Sequence, residues 1–173
     1  FVPSRGLGDV YKRQKYNQCM SDQGDFRKAM RNYIYSVSIL SNKNIDGELN
    51  AITVSSVTSI SMEPPSLLVC INKSSRIHDT LIKNSDFCIN LLNKNQQEIS
   101  NICSTDSLYD QRFDHDKWNT QTIPFLEEAQ ANIFCSIEDL VPYHTHTIVI
   151  GRVLNAISND KINTLSYVNG KYV

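Results

Sequence analysis

The stretch that decides the fold is residues 50–76, which reads NAITVSSVTSISMEPPSLLVCINKSSR. It opens with an extended segment dense in hydroxyl side chains and then breaks at Pro64-Pro65. An apolar run follows at residues 67–71, and the stretch ends in a polar turn at residues 72–76. Because proline cannot donate to a strand ladder, we predict one strand on each side of the break.

The hydroxyl-rich segment and the polar turn together predict a site for a nucleotide-like cofactor. Strand side chains alternate between two faces, so Thr53, Ser55 and Val57 are expected on one side, facing a flat polar ring. The turn carries two serines and two cations where a helix begins, which is a favourable place for an anion. FMN fits this pattern. An exposed edge strand would also carry such hydroxyls, and an ordinary helix start would account for one serine.

Length, charge and cysteine usage exclude several classes of protein. A chain of 173 residues forms one domain, and its net charge of -1 argues against nucleic acid or an anionic membrane as partner. The 5 cysteines are scattered without a CxxC pair, which argues against a zinc ribbon and a disulfide framework and favours a reducing, cytoplasmic setting. No run approaches the roughly 20 apolar residues of a membrane span.

The periodicity along the chain predicts an α+β domain dominated by β structure, a six-stranded β-barrel with short peripheral helices. We predict helices at residues 24–32, 76–84 and 96–103, a long polar loop at 105–121, and strands at 33–41, 49–59, 67–71, 86–92, 133–140 and 145–157. Asp46-Gly47 and Asn169-Gly170 are hairpin-turn signals. The domain is expected to span residues 20–173. Residues 1–19 lack apolar periodicity and are expected to be a non-native or disordered extension.

Four short segments resemble the flavin reductase family, the split-barrel NAD(P)H:flavin oxidoreductases, and they follow one another in the order that they have in that family. These enzymes serve two-component monooxygenases such as 4-hydroxyphenylacetate 3-monooxygenase. The segments are Thr53-Val54-Ser55-Ser56 with Ser59-Ile60-Ser61 and Pro64-Pro65; Cys70-Ile71-Asn72-Lys73-Ser74-Ser75; Phe87-Cys88-Ile89-Asn90-Leu91-Leu92; and His146-Thr147-Ile148 with Gly151-Arg152-Val153, Leu165-Ser166-Tyr167 and Gly170-Lys171-Tyr172. The resemblance implies a Greek-key, FMN-binding split barrel.

The resemblance also implies roles for individual residues. The flavin-binding set is Thr53, Val54, Ser55 and Ser56 along the ring, Ile71 and Asn72 near the ribityl chain, Ser74, Ser75 and Arg76 at the phosphate, and Phe113 and Tyr167 near the flavin and nicotinamide. His146 is the implied catalytic-site residue, which orients the nicotinamide. The family's Gly-Asp-His triplet is here His144-Thr145-His146, so only its last residue matches. Two histidines make too few ligands for a metal site, and we expect no metal.

The function implied by the resemblance is reduction of FMN, or FAD, by NADH or NADPH through direct hydride transfer to N5. The family implies a homodimer and a separate flavin-dependent oxygenase that receives the reduced flavin. A non-catalytic flavin-binding protein or electron carrier on the same barrel is the alternative, because fold does not fix function. A β-barrel module that binds nucleic acid is the third possibility, but the near-neutral charge argues against it.

Overall fold

The computed structural model of the protein describes residues 23–115 and 117–173. The predicted N-terminal extension, residues 1–19, lies outside the described residues. The helices are α1 (Gln23–Met30) and α2 (Gln97–Ser104), with 3-10 segments at Arg76–Thr80, Lys94–Gln96 and Asp106–Gln111. The strands are β1 (Tyr35–Ser36), β2 (Ser38–Lys43), β3 (Leu49–Val54), β4 (Thr58–Met62), β5 (Pro65–Asn72), β6 (Asp86–Leu91), β7 (Trp118–Asn119), β8 (Phe125–Leu126), β9 (Ala131–Tyr143), β10 (His146–Ser158), β11 (Ser166–Val168) and β12 (Lys171–Tyr172).

Seven strands form one antiparallel sheet in the order β3-β2-β6-β9-β10-β5-β4. The two edge strands, β3 and β4, follow each other in the chain and are separated only by residues 55–57. In a flat sheet of this size the edges would lie about 29 Å apart. The connecting backbone spans at most about 14 Å. The sheet must therefore curl strongly, so that its first and last strands approach each other.

The curled sheet confirms the prediction of a mostly-β fold and corrects the predicted six-stranded barrel. The main sheet has seven strands, and β3 and β4 do not pair with each other, so no hydrogen-bonded ladder closes it. A second sheet, in the order β1-β11-β12, and the β7-β8 pair lie beside it. The split between β3 and β4 falls within the hydroxyl-rich stretch.

Two apolar clusters hold the fold together. The first fills the inside of the curled sheet and comprises Leu40, Val54, Leu67, Val69, Ile71, Ile77, Leu81, Phe87, Ile89, Cys135, Ile137 and Val149. The second lies between the sheet and α2 and comprises Val37, Ile39, Ala51, Leu92, Ile99, Cys103, Leu126, Ala129 and Leu165. Strand β2 contributes Leu40 to one cluster and Ile39 to the other, which explains why it is buried on both faces.

A buried asparagine connects its own strand, β6, to three others. Asn90 on β6 is fully buried; its Nδ2 donates to the Ile39 carbonyl and to Ser41 Oγ, both at 2.9 Å. Its Oδ1 accepts from the Leu126 backbone N–H at 2.7 Å and from Asn132 Nδ2 at 2.9 Å. Burying a side-chain amide costs free energy unless its donors and acceptor find hydrogen-bond partners. This network therefore fixes β8 and β9 against β6.

Several predicted elements differ from those observed. The predicted strand 49–59 is two strands, β3 and β4, because the chain leaves the sheet at residues 55–57. The predicted helix 76–84 is only the 3-10 segment Arg76–Thr80, and the predicted strand 33–41 begins at Tyr35 and continues in β2. The loop 105–121 contains the 3-10 segment Asp106–Gln111 and strand β7. Both predicted glycine turns are confirmed: Gly47 has φ +84 and Gly170 has φ +81.

Candidate functional site

Residues 72–76, the serine turn, are organised by Asn72 at the end of β5. The Asn72 Oδ1 accepts from the backbone N–H and the hydroxyl of Ser74, both at 3.0 Å. The Asn72 carbonyl accepts from the Ser75 N–H at 3.0 Å and from the Ser75 hydroxyl at 2.7 Å. Ser75 precedes the 3-10 segment Arg76–Thr80 and makes no side-chain capping bond to it. Both hydroxyls are thus at the surface and held by bonds that can be exchanged for bonds to an anion.

The structure brings His146 to the serine turn. Strands β5 and β10 pair so that Asn72 lies opposite His146. The Lys73 N–H donates to the Thr145 carbonyl at 3.0 Å, which fixes the tip of the β9-β10 hairpin against the turn. We call residues 143–146 the histidine hairpin. His146 is exposed, and its Nδ1 lies 2.9 Å from the Thr145 hydroxyl.

The altered triplet forms a tight turn. His144 has φ +45, in the left-handed region, and its ring makes an edge contact with Tyr143 at a centroid distance of 4.4 Å. Histidine is tolerated there better than most residues that carry a side chain. The loss of the family's glycine therefore does not prevent the hairpin from presenting His146 beside the serine turn.

A cleft of about 560 Å³ opens along the split between β3 and β4. Its walls include Ser55, Ser56 and Val57 from the split and Ser38, Tyr35 and Cys70 from the neighbouring strands. The Ser56 hydroxyl accepts from the Cys70 N–H at 3.0 Å and lies 3.2 Å from the Cys70 carbonyl. The Ser56 hydroxyl therefore makes the hydrogen bonds to β5 that a neighbouring strand would otherwise make. Cys70 lies two residues before the serine turn.

The predicted row of hydroxyls on one strand face is corrected by the structure. Thr53 donates its hydroxyl to the Ser100 carbonyl of α2 at 2.6 Å, so it holds the helix. The side chains of Val54 and Ile71 belong to the first apolar cluster. Ser55 is exposed and beyond the end of β3. The side chains of Thr53, Val54 and Ile71 thus have partners within the protein, and their contact with a ligand stays a prediction.

A smaller cavity of about 210 Å³ adjoins the cleft through Ser55, which lines both. Thr53, Val54 and Tyr167 are among its other walls, so the structure brings these predicted site residues together. Tyr167 is 36% exposed and makes an edge contact with Tyr172 at 5.2 Å between ring centroids. Tyr167 and Tyr172 both line this cavity, so strands β11 and β12 form part of its wall.

Phe113 is not at the cleft. It packs against the second apolar cluster, with its ring centroid 4.7 Å from that of Trp118. The Trp118 indole N–H donates to the Arg112 carbonyl at 2.7 Å, which fixes this pair in place. Phe113 is not among the residues that line the cleft or the smaller cavity, and its role over the flavin stays a prediction.

Two polar side chains near the serine turn were not singled out from the sequence. The ring of Tyr109 lies 4.6 Å from the guanidinium carbon of Arg76 and 4.6 Å from that of Arg112. Burial raises the pKa of the Tyr109 phenol above its ordinary value, although Arg112 and Arg76 act in the opposite direction. Tyr109 is therefore a neutral phenol at pH 7. Tyr109 lies in the 3-10 segment Asp106–Gln111 and Arg112 directly follows it, so their i, i+3 spacing was the available signal.

His78 is a third residue that the sequence did not single out. Its Nε2 lies 2.9 Å from the Thr147 hydroxyl and its Nδ1 lies 3.1 Å from Asp79 Oδ1. Thr147 follows His146 on β10, and His78 lies two residues after Arg76. This contact connects the segment after the serine turn to the strand that carries His146.

The chain matches the family model described as "Flavin reductase like domain" over residues 30–173. The chain belongs to this family. The match covers the main sheet, the serine turn and the histidine hairpin, so the described fold and the family domain coincide.

Relatives of known name share most of the length of this flavin reductase-like domain. The reductase component of the FADH(2)-dependent resorcinol hydroxylase of Rhizobium sp. (strain MTP-10005) is 34% identical over 86% of this chain and 84% of its own. The FMN reductase (NADH) RutF of Pseudomonas syringae pv. syringae (strain B728a) is 30% identical over 85% and 83%. The structure of the styrene monooxygenase flavin reductase (SMOB) from Pseudomonas putida S12 superposes with a TM-score of 0.77, at 29% identity, over 86% and 96% of the two chains.

The geometry of this flavin reductase-like domain suits a flavin with a phosphate. The cleft volume falls within the range of about 300–1,000 Å³ typical of small-molecule sites. The serine turn offers the hydroxyls of Ser74 and Ser75 at a segment start, with Lys73 and Arg76 as cations. In the described part of the chain, no three His, Cys, Asp or Glu side chains gather as a metal site would require. Over the same residues, no helix has the length and apolar character needed to span a bilayer.

Proposed function

We propose that the protein reduces a flavin with NADH or NADPH, by direct hydride transfer to the flavin N5, and supplies the reduced flavin to a separate oxygenase. The observation that carries this proposal is the contact between the histidine hairpin and the serine turn, which begins two residues after Cys70, a residue of β5 that lines the cleft. Family membership and the names of the relatives, a hydroxylase reductase component and an NADH-dependent FMN reductase, support the same activity.

The serine turn would bind the flavin phosphate. Ser74 and Ser75 now donate their hydroxyls to Asn72, and each can turn toward a phosphate oxygen while the backbone bonds of the turn remain. Arg76 adds a cation at the same place. Charge-assisted hydrogen bonds to phosphate are stronger than the neutral bonds they replace, so the exchange favours the ligand.

Residues 53–57 would bind the ring. The split between β3 and β4 leaves residues 55–57 outside both strands, so their backbone groups are not committed to a strand ladder. Small side chains at Ser55 and Ser56 let a flat ring approach that backbone closely. Bound flavin supplies the hydride acceptor, and the protein's contribution is to bind and orient it.

His146 would orient the nicotinamide. Its position opposite Asn72 puts it beside the serine turn, where the flavin phosphate would bind, and its imidazole is exposed for contact with a second ligand. A direct hydride transfer requires no acid or base from the protein, so orientation and proximity are the effects expected of this side chain. We therefore assign it a positioning role in the proposed reaction.

The remaining parts of the proposal concern partners. FMN is the proposed flavin and FAD the alternative, since the serine turn accommodates a terminal phosphate directly. A homodimer, a flavin-dependent oxygenase partner and a cytoplasmic location follow from the family resemblance. The oligomeric state can be measured by light scattering on the eluted protein.

An anaerobic titration tests the proposed activity. The protein is mixed with FMN, then with NADH or NADPH, and the visible absorbance of oxidised flavin is followed. Rapid bleaching that requires the protein supports a reductase. Bound flavin that stays oxidised with both nucleotides would establish the electron-carrier alternative and overturn the proposal.

Variants of the histidine hairpin sharpen this test. His146→Ala should lower kcat/KM for the nicotinamide by about 10- to 100-fold, since a displaced nicotinamide loses a well-aligned geometry. Affinity for FMN should change little. His144→Asn is the matched control, because it removes an imidazole from the same exposed turn and asparagine tolerates the positive φ of that position. Equal losses in the two variants would show that only the hairpin's shape matters.

A further inference from the structure

Arg76 is held by an aromatic ring. Its guanidinium carbon lies 4.6 Å from the centroid of the Tyr109 ring. Within residues 23–115 and 117–173, Arg76 makes no ion pair with a carboxylate. A carboxylate partner would neutralise the cation and compete with an anionic ligand, whereas a ring fixes the guanidinium and leaves its charge available. The contact therefore suits an arginine that must receive an anion.

Tyr109 is itself fixed from behind. Its hydroxyl donates to Asn50 Oδ1 on β3 at 2.6 Å. The guanidinium of Arg112, which is only 3% exposed, lies over the same ring and donates to the Ala51 and Thr105 carbonyls. The ring is thereby anchored to β3, the strand that leads into the split.

The anchored ring determines where Arg76 can extend. Arg76 directly follows Ser75 and is exposed, so an unrestrained side chain would sample many rotamers. Ordering a free arginine on binding costs up to about 2 kcal/mol of rotamer entropy. A guanidinium already stacked on Tyr109 has lost part of that freedom before the ligand arrives, which raises the affinity for an anion at the turn.

We propose that Tyr109 is a positioning residue that holds Arg76 at the serine turn, and that the Tyr109–Arg76 pair makes the site select a phosphorylated flavin, FMN, over riboflavin. This rests on the proposed function, because it assigns the turn to the flavin phosphate. It adds a specificity determinant that lies on the 3-10 segment Asp106–Gln111, outside the turn itself.

The test compares binding of FMN and riboflavin by quenching of flavin fluorescence. Tyr109→Leu removes the ring and should weaken FMN binding by about 3- to 10-fold, the range for a cation–π contact, with riboflavin affinity within about twofold of wild type. Tyr109→Phe keeps the ring and loses only the bond to Asn50, so its FMN affinity should stay within about twofold. Thermal melts confirm that each variant is folded.

A double-mutant cycle separates positioning from general packing. Arg76→Gln, an exposed substitution, should by itself lower FMN affinity and leave riboflavin affinity unchanged. In the Arg76→Gln background, Tyr109→Leu should cause no further loss. Equal losses for FMN and riboflavin, additive losses in the cycle, or unchanged FMN affinity in Tyr109→Leu would each overturn the proposal. If the wild-type protein bound neither flavin, the proposed function would fail and this inference with it. If the protein reduced flavin normally but bound FMN and riboflavin equally well, only this inference would be refuted.

Discussion

Replacing both hydroxyls of the serine turn with carboxylates tests the phosphate assignment most directly. Ser74→Asp with Ser75→Asp removes two hydroxyl donors and adds two negative charges at the start of the segment Arg76–Thr80. The fold should tolerate the change. The turn is at the surface, Ser75 makes no capping bond that could be lost, and aspartate is a favourable residue at such a position.

The expected loss follows from the contacts of the two hydroxyls. Each already bonds to Asn72, so exchanging that neutral bond for a charge-assisted one gains only about 1 kcal/mol net. Two unit charges 4 Å apart interact by about 1 kcal/mol in bulk water, and the phosphate carries close to two charges, so each carboxylate repels it by about 2 kcal/mol. After salt screening, a total of about 4 kcal/mol remains, which is on the order of a 10³-fold weaker complex.

The assay is a fluorescence titration with FMN and with riboflavin. FMN affinity should fall by about 10³-fold, whereas riboflavin, which has no phosphate, should bind almost as before. A matched control adds the same charge at the far end of β10, as Asn155→Asp with Ser158→Asp, roughly 30–40 Å from His146 along the strand. That control should keep its FMN affinity. An unchanged FMN affinity in the serine-turn variant, or equal losses for both flavins, would refute the assignment.

Three further predictions concern stability and reactivity. In Gly151→Ala the new methyl would lie 2.6 Å from the ring of the fully buried Phe87, so the free energy of unfolding should fall by about 1–3 kcal/mol in a denaturant melt. In Asn90→Ala a buried backbone N–H loses its acceptor and three other bonds are lost, so we expect a loss of about 3–5 kcal/mol and a Tm lower by roughly 10 °C. Burial raises the pKa of Cys103 and of Cys135 to about 12, so little of either thiol is thiolate at pH 8. Both cysteines should therefore resist a thiol reagent until the protein is unfolded. Fast labelling of either one in the native state would contradict this burial.

The sequence predicted the parts of the fold that depend on local signals. The two glycine turns lie where Asp46-Gly47 and Asn169-Gly170 indicated, because a positive φ favours glycine. The apolar run at residues 67–71 lies within the buried strand β5. The proximity of Asn72 and His146 is a register between strands that are more than seventy residues apart. Only the order of the family's segments, and no local pattern, could indicate it.

The wrong strand boundary and the side-chain contacts that the sequence did not indicate share one physical cause, which is that partners distant in sequence decided them. The strand predicted over residues 49–59 ends at Val54, because β2 provides no pairing partner beyond Ser38. The hydroxyl of Thr53 has its partner on α2, where it donates to the Ser100 carbonyl. Phe113 packs against the second apolar cluster, whose members range from Val37 to Leu165. Alternation and composition describe a strand's own residues and contain no information on these neighbours.

The split in the sheet connects the fold to the proposed chemistry. A seven-stranded sheet that curls until its edges meet could close by pairing β3 with β4, and closure would use up the edge backbone groups. Residues 55–57 instead leave the ladder, and the Ser56 hydroxyl satisfies Cys70 in place of a strand neighbour. One serine thus keeps the β5 backbone bonded while the backbone beside it stays available to a flat ligand. Ser56→Ala should therefore weaken flavin binding indirectly, because the Cys70 N–H loses its acceptor and the wall of the cleft loses its support.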